Sequence, residues 1–296
     1  MAAGLSSSGL RIALSSSGLR TALSSSGLRT AGLGGTGPVG ILSPVRDFLD
    51  LPRPLAFAHR GGAAHFPENS WRAFEHALGL GYSYLETDVQ ATADGVLVAF
   101  HDRTLDRVTD RAGRIARLPH HEVSAARIGG TDPIPRLEDL LGAWPGARFN
   151  LDVKDEPAVR PLPEVLRRTA AWDRVCITSF SARRLAAVRR VLPRPVCMAT
   201  SPVGVAALQL GEPRRALAER LRRLSVRCAQ VPIRVATESF LRHAHAAGLQ
   251  VHVWTVNDRR VMTEVLDLGV DGIMTDETAI LRDVLTTRGQ WHPRPA

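Results

Sequence analysis

Short apolar runs alternate with longer amphipathic stretches from about Leu55 onwards. The runs have the length of β-strands, and the stretches repeat apolar positions at helical spacing. This alternation predicts βα units around a parallel sheet, and hence an α/β protein. Once the first 46 residues are set aside, the remaining chain of about 245 residues has the size of one (β/α)₈ (TIM) barrel.

Nine runs are candidates for strands, one more than an eight-stranded barrel needs. They cover residues 55–59, 84–89, 96–101, 149–154, 175–180, 195–200, 228–233, 251–256 and 272–276. The pair Asp94-Gly95 between the second and third runs is a hairpin signal, so one of these two runs is expected to leave the barrel, and the pattern leaves open which one. Residues 102–133 lack a long periodic run and are interpreted as a short insertion after the third strand.

The two ends of the chain have a different composition from the middle. Residues 6–29 carry a nine-residue repeat of Ser, Gly, Leu and Arg, which cannot bury enough apolar surface to fold. We therefore expect a disordered low-complexity leader over residues 1–46, a barrel domain over residues 47–287 and a loose tail over residues 288–296.

The formal charge of +9 comes partly from the leader, which contains four arginines and no acidic residue. The rest of the chain has no basic run interleaved with aromatics, so nucleic acid is not an expected partner. No apolar run approaches the ~20 residues of a membrane span, and stable membrane insertion is not expected. The three cysteines, Cys176, Cys197 and Cys228, lie in apolar runs, which favours buried thiols and a cytoplasmic location.

The run FNLDVK has the strongest chemical signal. The two-residue period of a strand places Asn150, Asp152 and Lys154 on one face and apolar residues on the other. In a barrel the apolar face meets the helices, so the polar face points into the lumen. Unpaired charge there is costly, and these groups must pair with each other, with a metal ion or with a substrate.

The run YLETDV repeats this arrangement with Glu86 and Asp88. Together with Asp152 they form a set of three carboxylates, which suits a hard cation such as Mg²⁺ or Ca²⁺. The alternative is a network of salt bridges, for instance between Lys154 and Asp152. His59 and His101 end two other apolar runs, where barrel enzymes carry their catalysts, and a pair of histidines can remove one proton and donate another.

These blocks resemble the glycerophosphodiester phosphodiesterase family. The resemblance rests on AHRGG, PENS, the LETDV strand, DG, FHD and LDR, and it continues through IPRLEDLL, FNLDVK, TSF, HVWTVN and GVDGIMTD, over residues 55–282. It implies the TIM barrel of these phosphodiesterases. It also implies a small-molecule substrate and a divalent cation, Mg²⁺ or Ca²⁺, as cofactor.

The resemblance also implies a role for each matching residue. His59 and His101 would be the acid/base pair, and Glu86, Asp88 and Asp152 the metal ligands. The residues implied to bind phosphate or substrate are Arg60, Lys154, Glu68, Asn69 and Trp254. Asp152 departs from the pattern, since the family commonly has a glutamate there, and this could alter metal affinity or ion choice.

The sequence therefore predicts metal-dependent hydrolysis of glycerophosphodiesters to glycerol 3-phosphate and an alcohol. A lysophospholipase D, which cleaves the same bond in a lipid that keeps one acyl chain, is the nearest alternative. A noncatalytic phosphate-binding barrel is a further alternative, but binding alone would not need two histidines. The sequence gives no oligomeric state.

Overall fold

The computed structural model describes residues 48–211 and 215–294, and the predicted leader therefore lies outside the described residues. Eight parallel strands form a closed barrel, because β1 pairs with both the second and the last strand. The strands of the described residues are, in chain order, β1 Leu55–Ala58, β2 Tyr84–Ala91, β3 Leu97–Ala99, β4 Arg127–Ile128, β5 Asp132–Pro133, β6 Arg148–Val153, β7 Val175–Thr178, β8 Cys197–Ala199, β9 Val226–Pro232, β10 Gln250–Trp254 and β11 Gly272–Thr275. The eight barrel strands are β1, β2 and β6 to β11. The predicted TIM barrel is confirmed.

Helices connect the strands around the barrel. They are α1 Trp71–Gly79, α2 His120–Val123, α3 Leu137–Ala143, α4 Leu162–Arg168, α5 Ala182–Val191, α6 Pro202–Gln209, α7 Arg215–Arg223, α8 Glu238–Ala246, α9 Arg259–Asp267 and α10 Thr278–Thr287. Several begin at a residue whose side chain accepts a hydrogen bond from the first turn, as Ser70, Ser181 and Asp258 do. These caps satisfy N–H groups that the helix itself leaves unpaired.

The third candidate strand is the one that leaves the barrel. β3 pairs antiparallel with the end of β2, from Val89 opposite Ala99 to Ala91 opposite Leu97. The hairpin between them turns at Gly95, whose positive φ of 84° suits glycine. The Asp94-Gly95 signal therefore predicted the hairpin correctly. The next barrel strand after β2 is β6.

The predicted insertion lies between β3 and α3 and has its own small core, in which Phe100, Leu105, Ile115 and Ile128 are buried. Its short β4–β5 hairpin is held to the barrel by Arg72 of α1, whose Nε donates to Asp132 Oδ1 at 2.8 Å. The insertion thus packs beside the barrel and carries the segment that follows His101.

At the end where the strands begin, the lumen is filled by apolar side chains and thiols. Phe48, Phe57 and Tyr84 pack there with Cys176 and Cys228. The two sulfurs are 3.9 Å apart, although 52 residues separate them in the chain. The predicted burial of the three cysteines is confirmed.

The C-terminal segment predicted to be a loose tail makes contacts with the barrel over its described part. The Trp291 ring packs on Tyr82 with 5.1 Å between centroids, and the Arg294 N–H donates to the Gly81 carbonyl at 2.8 Å. A tryptophan can bury a large apolar area. The polar composition of the rest of the segment gave no sign of this packing. None of the described helices is both long and apolar enough to cross a membrane.

Candidate active site

A cavity of about 370 Å³ opens at the end of the barrel where the strands finish. Its polar wall is formed by His59, Arg60, Asp88, His101, Asp152 and Lys154. Much of the remaining wall is apolar and includes Phe180, Val205, Val231, Pro232 and Trp254. The strand-end position is the one at which barrel enzymes place their catalytic groups.

The two acidic strands lie side by side. β2 and β6 pair in parallel with Asp88 opposite Asp152 and Glu86 opposite Asn150. All four side chains are buried, and Asp88 and Asp152 line the cavity, as expected for side chains that face the lumen. Lys154 completes the group, since its Nζ donates to Asp152 Oδ2 at 2.6 Å and lies 2.8 Å from Asp88 Oδ1. The salt-bridge alternative therefore describes the contacts in this conformation.

Arg60 is held by the turn that follows β1. Its backbone has a positive φ of 51°, and its N–H donates to Glu86 Oε2 at 2.9 Å. Its guanidinium donates to Glu68 Oε1 at 3.1 Å and lies 3.3 Å from Asp88 Oδ2. Asn69 donates to the same Asp88 oxygen at 2.9 Å. Arg60 thus links Glu68 to Asp88, and Asn69 contacts the same Asp88 carboxylate.

His59 is oriented by the carboxylate of the residue that follows the last strand. Its Nδ1 is 2.7 Å from Asp276 Oδ1, and its Nε2 is 3.9 Å from Glu86 Oε2. Burial would lower the pKa of His59, but the hydrogen bond to Asp276 and the charges of Glu86 and Asp276 outweigh burial, and the pKa is raised.

His101 has a matching partner in the next residue. Its Nδ1 is 2.6 Å from Asp102 Oδ1, and Arg107 binds the other side of the same carboxylate. The hydrogen bond from Arg107, aided by that from His101, lowers the pKa of Asp102 to about 2. Arg107 also donates to Glu68 Oε1 at 2.7 Å, which ties the His101 segment to the loop before α1.

Charge is unevenly balanced among the three predicted metal ligands. Burial raises the pKa of Glu86 to about 7, and the nearby charge of Asp88 adds to this effect. Burial also raises the pKa of Asp152, whose Oδ1 is buried without a hydrogen-bond partner. Burial opposes ionisation of Asp88 as well, but Lys154 and Arg60 outweigh it and lower the pKa. Two of the three carboxylates therefore lack full compensation.

The donor set fits a hard divalent cation in its chemistry, because it offers only oxygen atoms and includes an unpartnered buried Asp152 Oδ1. In the conformation described, no three or more His, Cys, Asp or Glu side chains within residues 48–211 and 215–294 are grouped closely enough to hold a metal ion. Lys154 lies between Asp88 and Asp152 instead. The structure brings the predicted ligands to one wall without arranging them around a single point.

Trp254 lines the cavity and forms an aromatic pair with Phe180 at 5.6 Å between ring centroids. Lys154 Nζ lies 5.6 Å from the centroid of the Phe180 ring. Sequence reasoning missed two contributors, Asp276 and Phe180. Asp276 directly follows the last strand, at the end of the barrel where the other polar residues lie, and that position was the available signal.

Comparison with known proteins identifies the relatives of this barrel. Residues 59–280 match the model of the glycerophosphoryl diester phosphodiesterase family. A probable glycerophosphodiester phosphodiesterase 2 of Mycobacterium tuberculosis is 42% identical over 84% of this chain and 97% of its own length. Human lysophospholipase D GDPD1 is 26% identical over 77% of this chain and 85% of its own length.

A solved structure shows the same fold. It is that of an Oleispira antarctica phosphodiesterase in complex with the product sn-glycerol-3-phosphate. It superposes with a TM-score of 0.68 at 24% identity, and the match covers 79% of this chain and 97% of the other.

Proposed function

Because this chain belongs to the glycerophosphoryl diester phosphodiesterase family, we propose that it is a metal-dependent enzyme that hydrolyses glycerophosphodiesters to glycerol 3-phosphate and an alcohol. The observation that carries the proposal is the pair of histidines. His59 and His101 line one cavity, and each has its Nδ1 held by an aspartate. An imidazole fixed at Nδ1 presents Nε2 for proton transfer.

The cavity offers cations for the phosphate beside this pair. Arg60 and Lys154 share the polar wall, and ion pairs with carboxylates hold both side chains in place. Burial lowers the pKa of Lys154, but Asp88 and Asp152 outweigh burial and raise it, so that it stays protonated at neutral pH. These two groups would bind the non-bridging phosphate oxygens and stabilise the charge that develops on them.

Glu86, Asp88 and Asp152 would hold the divalent cation. When bound, the ion would act as a Lewis acid on the phosphate oxygens. With the ion present, Lys154 would exchange part of its contact with these carboxylates for contact with the phosphate. Asn69 would keep Asp88 in place during this exchange through its hydrogen bond at 2.9 Å.

The histidines would move the protons of the reaction. One imidazole takes the proton of the glycerol hydroxyl next to the ester, whose oxygen bonds to phosphorus, while the other gives a proton to the departing alcohol oxygen. This forms a cyclic phosphate and releases the alcohol. Water then opens the ring to glycerol 3-phosphate, with the two histidines acting in reverse.

A second candidate substrate is a lysophospholipid. The apolar part of the cavity wall, with Phe180, Val205, Val231 and Trp254, could hold an acyl chain next to the phosphate. A human relative carries the name lysophospholipase D.

A noncatalytic barrel would not use two aspartate-held histidines in one cavity. A cytoplasmic location, to be checked by fractionation, belongs to the same proposal.

The experiment measures glycerol 3-phosphate released from glycerophosphocholine and glycerophosphoethanolamine, and lyso-phosphatidate released from lysophosphatidylcholine. Each substrate is assayed with Mg²⁺ and with Ca²⁺. Release of glycerol 3-phosphate supports the primary proposal, and faster release of lyso-phosphatidate supports the second. Absence of product from all three substrates with either ion would overturn both.

A further inference from the structure

Large apolar side chains are exposed around the mouth of the cavity. Phe180, Val203 and Ile233 have exposed fractions of 65%, 69% and 37%. They belong to the segments that follow β7, β8 and β9, three neighbouring strands of the barrel. We call these three residues the apolar rim. Exposed apolar groups collected in one place mark an interaction surface, whereas scattered ones are ordinary.

The rim is continuous with the substrate cavity. Phe180 itself lines the cavity, Val203 follows the cavity-lining Pro202, and Ile233 lies between the cavity-lining Pro232 and Arg234. A protein partner seated on the rim would cover the cavity entrance. A lipid surface in contact with the rim would instead present substrate to it.

Helix α6 extends the apolar surface away from Val203. The segment 200–211 contains no charged residue, and most of α6 is exposed. Leu210, which follows the helix, is 91% exposed. A helix on the surface of a globular protein normally has a charged or polar outer face, whereas the exposed residues of α6 are apolar except for Gln209.

Arginines flank this surface. Arg234 is exposed beside Ile233, and the side chain of Arg183, three residues after Phe180, is 83% exposed. Arg183 Nη2 lies 3.7 Å from Glu156 Oε2, a long contact for an ion pair. Exposed apolar groups with arginines beside them are the combination that binds the interface of an anionic membrane.

We propose that the apolar rim docks the mouth of the barrel on an anionic lipid surface. The apolar side chains enter the interface and the flanking arginines contact the lipid phosphates, so that the cavity opens towards the lipid. The docking itself is independent of the reaction, and only its effect on turnover rests on the proposed function.

The test measures binding to vesicles of phosphatidylglycerol and phosphatidylcholine by co-sedimentation. We expect the parent protein to bind vesicles containing phosphatidylglycerol more tightly than pure phosphatidylcholine vesicles, and to be released by salt. The double variant Val203→Asp with Ile233→Asp should bind at least about tenfold more weakly, because two apolar side chains no longer enter the interface. Val191→Asp is the matched control, since Val191 is also exposed but ends α5 away from the mouth.

Turnover gives a second readout. The double variant should keep the parental rate on soluble glycerophosphocholine and lose at least about tenfold on lysophosphatidylglycerol held in vesicles, in line with its weaker binding. If the proposed function fails, no substrate is turned over while vesicle binding persists. Equal vesicle binding by the parent and the folded double variant would overturn the docking proposal. So would a concentration-dependent dimer of the parent, seen by sedimentation velocity without lipid and lost in the double variant.

Discussion

The two ends of the barrel lumen are lined by the same strands but by different kinds of side chain. Where the strands begin, Phe48, Tyr84, Cys176 and Cys228 pack together, and the cation Arg148 donates to the Phe48 carbonyl at the edge of this cluster. Where the strands finish, Lys154 Nζ lies 2.8 Å from Asp88 Oδ1 and 2.6 Å from Asp152 Oδ2. Along β2 the change takes only two to four residues, from Tyr84 to Glu86 and Asp88.

This difference separates stability from chemistry within one interior. The apolar end removes large side chains from water and so stabilises the barrel. The charged end buries carboxylates at a cost, which Lys154 and Arg60 offset only in part. Groups that carry such a cost are often retained for function. Substitutions at the charged end should therefore lower activity with little change in stability, and substitutions at the apolar end should lower stability with little change in activity.

The largest expected effect on activity comes from the histidines. His59→Ala and His101→Ala should each lower kcat by about 10² to 10⁴, because each removes a group that transfers a proton. Melting temperature should change little, since both side chains lie at the cavity wall. Steady-state kinetics on glycerophosphoethanolamine with thermal melts of the same samples provide the measurement.

The control is His121→Ala, because the His121 side chain is 80% exposed and lies in the insertion. It should keep the parental kcat. If both cavity variants unfold, or if they turn over at the parental rate, the histidines are structural and the proposed proton transfer is wrong.

The next effect is on stability and tests the opposite end. Tyr84→Ala should lower the free energy of unfolding by about 3 kcal/mol or more, because it removes a buried ring that packs on Phe48 and Phe57. The fraction that stays folded should keep its kcat. Tyr84→Phe keeps the ring and loses the hydroxyl, which donates to the Phe48 carbonyl and accepts a long hydrogen bond from Arg148, so about 1 kcal/mol is expected. Urea unfolding would contradict the comparison if Tyr84→Ala were as stable as the parent.

Asp276 should affect activity through His59. Asp276→Asn should lower kcat by about 10- to 10²-fold, because His59 loses the carboxylate that fixes its tautomer. Asp276 raises the pKa of His59, so the limb of the pH profile that reports His59 should move to lower pH. Asp283→Asn, at an exposed carboxylate of α10, is the control. An unchanged pH profile in Asp276→Asn would rule out this positioning role.

The smallest of these effects tests the only lysine in a chain with 37 arginines. Lys154→Arg should lose at least about tenfold in kcat/KM, about 1.4 kcal/mol of transition-state stabilisation. The guanidinium is broader and planar, and it favours a forked pair with one carboxylate over the bridge between Asp88 and Asp152. The variant should melt close to the parent. Parental kcat/KM in Lys154→Arg would show that any cation suffices.

The alternation of FNLDVK and YLETDV was enough to predict which side chains face the lumen, because a strand in a barrel has only two faces. The same reasoning could not decide that residues 97–99 leave the barrel, since that depends on the pairing of β3 with the end of β2. The link between Asp276 and His59 spans 217 residues and exists only because the barrel closes between its last and first strands. The sequence left a salt bridge of Lys154 open as an alternative. Its contact with both Asp88 and Asp152 depends on the register of β2 and β6, which places the two aspartates opposite each other.

The most direct test of the central claim is glycerol 3-phosphate release by the parent protein before and after metal removal. Three buried carboxylates at the charged end predict that release stops after exhaustive dialysis against EDTA and returns when Mg²⁺ or Ca²⁺ is added. The melting temperature should show that the dialysed protein is still folded. Full turnover in excess EDTA would contradict the account of the charged end as a metal-dependent catalytic site.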